Sequence, residues 1–405
     1  MSVHDRGGLL DVLRRRARDA AEHVDPSDRE VLGLWLASRL SVVVVVTSAG
    51  WIFSAGDRPE PFWDRWVRWD AVHYEAIARF GYDGNPASTD PTPLEAFFPG
   101  FPLLLRFLAE TGLGYVGAGL LISLVAGAVG MLALARTAAL EPGAGSPGTG
   151  SPGAGSPASA VGARAVLLVV VSPAAVFLAV GYTEALFLAL ALPAWLAARR
   201  GAWATAGLLA MAATGVRVTG LFLAVALVVE YAVARDRRTG WRGLAWLATP
   251  LVPLVAYSAY QHERTGDWQA WQHAQEAHWS RTFTWPWEAF ETTFRAAFLD
   301  EVQTPGFAWY FRLEVVMALV GVALTLWLLW RRRWAEFTYV GLQVGALVTS
   351  SFYLSVPRAS LLWWPLWTAL AAASRRRWVL GLYLAVSVPV AVLVAGAYAM
   401  QRWAG

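Results

Sequence analysis

The strongest constraint on this chain is a set of apolar runs too long for the core of a water-soluble domain, at residues 31–53, 115–135, 313–330 and 378–400. A helix needs about 20 apolar residues to cross a hydrocarbon layer roughly 30 Å thick, and these runs approach or exceed that length. Only 15% of the residues are charged and 57% are hydrophobic, where a soluble domain carries about a quarter charged. The expected fold is therefore all-α, a polytopic bundle of transmembrane helices.

Basic clusters set the threading. The polar segment 1–30 contains Arg14, Arg15 and Arg16 and is expected to be cytoplasmic; the apolar run after it has no small-residue cleavage site and reads as a retained first span. A second span over about 115–138 returns to the cytoplasm, where the Gly/Ser/Pro-rich stretch 141–160 reads as a flexible linker. The stretch 164–200 is broken at Gly181-Tyr182-Thr183-Glu184, and 203–235 at Gly215-Val216-Arg217-Val218-Thr219-Gly220, so each reads as a helical hairpin with its turn outside. Spans near 242–261, 313–330, 337–355, 360–373 and 378–400 complete a count of about eleven, some short or re-entrant. Arg331, Arg332 and Arg333, and later Arg375, Arg376 and Arg377, fall on the same side as the N-terminus, as the positive-inside rule requires. Residues 31–405 are thus expected to form one transmembrane domain with large extracytoplasmic loops at 54–112 and 262–312. The net charge of +4 is explained by these orienting arginines, so no nucleic-acid partner is expected. Most of the 23 tryptophans suit interfacial anchors. The Ala-, Arg- and Gly-rich composition suits a high-GC bacterium, hence its plasma membrane.

The chain has no cysteine, which excludes disulfides, thiolate nucleophiles and Cys-based metal sites. His273 and His278 lack metal-ligand spacing, so neither a metal nor another cofactor is expected. The densest polar constellation is Arg68-Trp69-Asp70-Ala71-Val72-His73-Tyr74-Glu75, which predicts a short amphipathic helix closed by Gly81. Spacing of three and four residues puts Asp70, His73 and Tyr74 on one face, where Asp70 is placed to act as a general base for a hydroxyl; the alternative is a solvated helix with Asp70 paired to Arg68 or Arg79. Glu95, beside Phe97 and Phe98, is either pocket lining or an ordinary exposed carboxylate. Glu184 and Arg217 lie within apolar hairpins, where a charge costs about 2.5–3.5 kcal/mol, and are functional candidates unless they form only a structural pair. The loop holding His273, Trp279 and Arg281 mixes amide, imidazole and aromatic groups suited to carbohydrate. Arg358 is the last outer charge, a phosphate contact or an anchor.

These segments resemble the PIG-V-like mannosyltransferases. The match is carried by RWDAVHYEAIARFGY (68–82) and EAFFPGFPLLLR (95–106), then SPAAVFLAVGYTEALFLALAL (172–192), VRVTGLFL (216–223), AQEAHWSR (274–281) and PRASLLWWPLWTALA (357–371). Gly100 stands where a leucine is more usual, and Ala359 where an aromatic often follows the arginine. The resemblance implies a GT-C glycosyltransferase, a multi-span enzyme using a polyprenyl-phosphate sugar donor at the extracytoplasmic face. Asp70 then takes the place of the catalytic base. Arg68, His73, Tyr74, Glu184, Arg217, His273, Arg281 and Arg358 are expected around the donor sugar and phosphate, and Trp69, Glu95, Phe98 and Trp279 along the pocket or acceptor side. The acceptor would be a glycan, glycolipid or protein, with membrane lipids around the bundle and inversion at the sugar. The competing class is a transporter or flippase, which would place its charges at the midplane of internal repeats; no repeat is visible. The same fold acting on another lipid-linked sugar is the nearer alternative.

Overall fold

The computed structural model describes residues 25–52, 61–89, 92–141, 157–234, 240–299 and 307–402. The arginines at 14–16, the core of the Gly/Ser/Pro stretch and Arg235, Arg237 and Arg238 lie outside them. Among the described residues the chain is helical, with one isolated antiparallel bridge, Phe283 to Ser350, in place of any sheet.

The elements are α1 (Pro26–Ile52), α2 (Asp70–Phe80), α3 (Gly100–Leu108), α4 (Gly114–Ala139), α5 (Pro157–Val170), α6 (Thr183–Arg199), α7 (Trp203–Val216), α8 (Thr219–Val233), α9 (Trp241–Trp246), α10 (Leu251–Thr265), α11 (Ala270–Trp279), α12 (Pro286–Phe298), α13 (Ala308–Trp330), α14 (Trp334–Val348), α15 (Trp364–Ala373) and α16 (Arg377–Ala399). Five segments are long and apolar enough to cross a membrane: Pro26–Ile52, Gly100–Ala139, Trp241–Thr265, Ala308–Trp330 and Arg377–Ala399. Helices α5, α7 and α8 are apolar but shorter; at 1.5 Å per residue each rises only about 20 Å. Helices fall within the expected spans, and five segments, not eleven, meet the length criterion.

The outer surface is apolar, the reverse of a soluble bundle. Leu36, Leu40 and Val44 recur every fourth residue on α1 and are more than half exposed, as are Leu382, Val386 and Leu393 on α16. Such faces are stable only against lipid. Trp51, Trp241, Trp330 and Trp378 project at the ends of these segments, where an indole suits the interface.

Inside, small residues let helices approach closely. α4 packs along α6, α6 along α7, and α8 along α14. A Cβ on Gly100 would lie 2.6 Å from the Gly215 carbonyl oxygen, so the start of α3 touches the α7–α8 turn as a side chain would not permit. The α3–α4 junction bends through Gly112 and Gly114, at φ 99° and 67°. Tyr182 and Tyr398 donate to the carbonyls of Arg68 (3.0 Å) and Trp66 (3.1 Å), fixing the segment that enters α2.

Candidate active site

Asp70 opens α2, where the positive end of the helix favours a carboxylate. Trp69 before it has φ 52°, a region that costs a bulky side chain about 1–3 kcal/mol and is sustained only by its surroundings. The α2 helix ends where expected, at Gly81 with φ 75°. One turn into it, buried Tyr74 packs against Phe97 and Phe101 at ring distances of 5.2 and 5.1 Å. Burial, and then the charge of Asp70, hold the Tyr74 phenol well above its usual pKa, so it faces the site neutral.

Glu184, at the start of α6, is completely buried. Its Oε1 accepts from Nη1 of Arg217 at 2.6 Å and pairs with Nε of Arg358 at 3.0 Å. Arg217 sits in extended backbone where α7 ends, and its Nη1 also donates to the Thr183 hydroxyl at 2.5 Å. Arg358 reaches on to Asp70, Nη1 to Oδ2, at 2.8 Å, and lies over the rings of Phe177 and Tyr182 at 5.5 and 5.3 Å. Burial alone would lower the Arg358 pKa, but the carboxylates of Asp70 and Glu184 outweigh it and raise the value further, so this guanidinium stays charged. Four charges from four parts of the chain thus form one chain of contacts, Asp70, Arg358, Glu184, Arg217.

The cluster borders a cavity of about 610 Å³. Asp70, Tyr74, Arg217, Arg281 and Arg358 line its polar end, with Trp271, Gln275 and Trp279 of α11 on one wall. Val218, Phe222, Ala346, Leu347 and Leu362 add apolar lining beside the polar groups of Gln343, Thr349 and Ser350. The Phe97–Phe98 wall is pinned by its own backbone: the Ala96 carbonyl accepts from Trp271 Nε1 and Gln275 Nε2, both at 3.1 Å, and the Phe97 carbonyl from Tyr82 at 2.7 Å. Burial brings Arg281 down to about 10, which still leaves it cationic at neutral pH.

The structure brings together Asp70, Tyr74, Glu184, Arg217, Arg281, Arg358, Phe98 and Trp279. It separates the others. His73 stacks on the outer side of Phe97, at 5.2 Å, and faces a second groove of about 620 Å³ with Glu95; the four-residue step from Asp70 stays on the cavity face and the three-residue step does not. Glu95 pairs with Arg264 at 3.2 Å. His273 is an exposed partner of Asp267 at 2.6 Å. Arg68 and Trp69 shape the entry to α2 without lining the cavity. Asp70 pairs with neither Arg68 nor Arg79; Arg79 is held by Glu75 at 2.6 Å. Among the described residues no three His, Asp or Glu side chains gather as metal ligands.

Sequence reasoning missed Trp271, Gln275, Phe222 and Gln343 in the cavity wall, and above all Glu314. That carboxylate, fully buried near the start of α13, accepts the backbone N–H groups of Ser355 and Val356, both at 2.8 Å. No spacing signal exists for it, since its partners are 41 and 42 residues away.

Fold and site together define a helical membrane protein with a carboxylate–guanidinium cluster at the polar end of an amphiphilic cavity. Residues 41–233, a stretch that holds Asp70, Glu184 and Arg217, match the family model described as Mannosyltransferase (PIG-V). It is also 36% identical over 161 residues to the mouse (Mus musculus) GPI alpha-1,6-mannosyltransferase 2, covering 38% of this chain and 29% of that relative. The match therefore spans less than a third of the relative's length.

Proposed function

We propose that this chain is a mannosyltransferase that moves a mannosyl residue from a polyprenyl-phosphate carrier to a hydroxyl of an extracytoplasmic glycan, glycolipid or protein. The observation that carries the reading is the Asp70–Arg358 pair at the cavity's polar end, a base and a phosphate-binding cation within 2.8 Å of each other.

The chemistry needs three things. Asp70 takes the proton of the acceptor hydroxyl as its oxygen bonds to the anomeric carbon. The bond from that carbon to phosphate breaks, and its electron pair leaves on the phosphate oxygen, which guanidinium groups stabilise. Arg217 and Arg358 line the cavity while paired to the carboxylates, so both guanidinium groups stand where a donor phosphate would bind. A donor phosphate competing for Arg358 would release Asp70 to act as base. One displacement inverts the anomeric carbon, so a β-linked donor gives an α-mannoside. The apolar lining of Phe222, Leu347 and Leu362 suits the first units of the lipid, and Trp271 and Trp279 suit a sugar face.

The bundle would cross the membrane about eleven times with its N-terminus cytoplasmic and this cavity outside. The test is transfer of labelled mannose from polyprenyl-phosphate mannose by the wild type, with Asp70→Asn as the variant that removes the base.

A further inference from the structure

Arg358 lies in the short turn Val356–Ala359, and what holds that turn is unusual. Ser355 enters it with φ 63°, the left-handed region, which costs a non-glycine residue about 1–3 kcal/mol. The peptide unit joining Leu354 to Ser355 is gripped at both ends by opposite charges from different parts of the chain. Its carbonyl accepts from Arg281 Nη2 at 3.0 Å, and its N–H donates to Glu314 Oε1 at 2.8 Å. The next N–H, of Val356, donates to Glu314 Oε2 at 2.8 Å. Both oxygens of a fully buried carboxylate are therefore spent on two successive amides, three residues before Arg358.

We infer that Glu314 is a positioning residue for the transfer reaction: by fixing the left-handed turn at Ser355 it sets the Arg358 guanidinium against Asp70 and the cavity. The inference rests on the proposed function above and deepens it. A carboxylate in an apolar helix is expensive, and a cap of ordinary purpose would be met by a neutral acceptor. A carboxylate supplies two acceptors in one plane, matched to two parallel N–H groups, with the charge-assisted strength that a strained turn requires. Arg281, gripping the other end of the same peptide unit, brings a cation to the turn. Glu314 does not itself line the cavity, though Ser355, whose N–H it holds, does; it acts through the turn that carries Arg358.

The test is a double-variant cycle in the full-length membrane-embedded protein, with Glu314→Gln, Arg358→Lys and both together. The readouts are donor KM and kcat for mannosyl transfer from polyprenyl-phosphate mannose. Glutamine keeps the shape and one acceptor but turns an N–H donor toward a backbone N–H. Loss of one charge-assisted bond predicts a fall in kcat/KM of about tenfold or more, expressed mainly in donor KM. In the Arg358→Lys background the same change should matter less than about twofold, since its route of action is already gone. Glu314→Asp, which keeps the charge, should recover part of the loss. Full multiplication of the two single effects, or a Glu314→Gln enzyme equal to wild type, overturns the inference and leaves the proposed function standing. Absence of transfer by the wild type overturns the proposed function and the inference with it.

Discussion

A carboxylate with no exposed surface, such as Glu184, is tolerable only when cations surround it. Arg217 and Arg358 supply them, so the cluster is structural and reactive at once. Removing one partner of a buried pair leaves an uncompensated charge, a loss on the order of 3 kcal/mol, whereas removing both is far milder. Arg217→Ala is therefore expected to lower the yield and thermal stability of folded protein sharply, and Glu184→Gln combined with Arg217→Gln to recover much of it, as read by gel filtration and a melting curve. At this scale the sequence was informative in two ways: Glu184 and Arg217 announce themselves by the cost of a charge within an apolar run, and Asp70 and Arg358 by the polar constellation and the outer turn in which they stand. It misled in the polar loops, where His273 and Glu95 look as reactive as Arg281 but are held by Asp267 and Arg264 outside the cavity. Glu314 was invisible because it begins a run that reads as an ordinary span, and its partners lie across the fold.

Among the elements, the hairpins that carry the site were legible from their breaks. The turns at Gly181-Tyr182-Thr183-Glu184 and at Gly215 to Gly220 separate helices α5 from α6 and α7 from α8, as the apolar pattern implied. Spacing on α2 was only half informative, since Asp70 and Tyr74 share the cavity face and His73 does not. Gly100, the departure from the more usual leucine, has a reason that only the packing reveals. A side chain there would press on the Gly215 carbonyl and displace the turn that holds Arg217. Gly100→Leu is expected to destabilise the protein by about 1–3 kcal/mol and to weaken transfer through Arg217. A melting curve and a transfer assay on one preparation check both parts; an unchanged melting temperature and rate would contradict the packing account.

For the whole molecule, the apolar exterior and the tryptophans at the span ends make the membrane reading physical, while the side that faces the cytoplasm is a matter for experiment. The absence of cysteine makes that experiment clean. A single cysteine at exposed Ser88, beside the Asp70 face of the bundle, should react with a membrane-impermeant thiol reagent in intact cells; one at exposed Arg331, at the other end of α13, should react only after permeabilisation. The reverse pattern would invert the topology and put the cavity inside.

The proposed function stands or falls with Asp70 as the base of a mannosyl transfer. Its most direct test gives membranes holding the wild type or Asp70→Asn a radiolabelled polyprenyl-phosphate mannose with total cell-envelope acceptors, and measures label in new glycoconjugates. Transfer by the wild type is expected, as an α-mannoside from a β-linked donor, with a loss of about 10²–10⁴-fold in the variant at the wild-type level of folded protein. Equal transfer by the two proteins would contradict it.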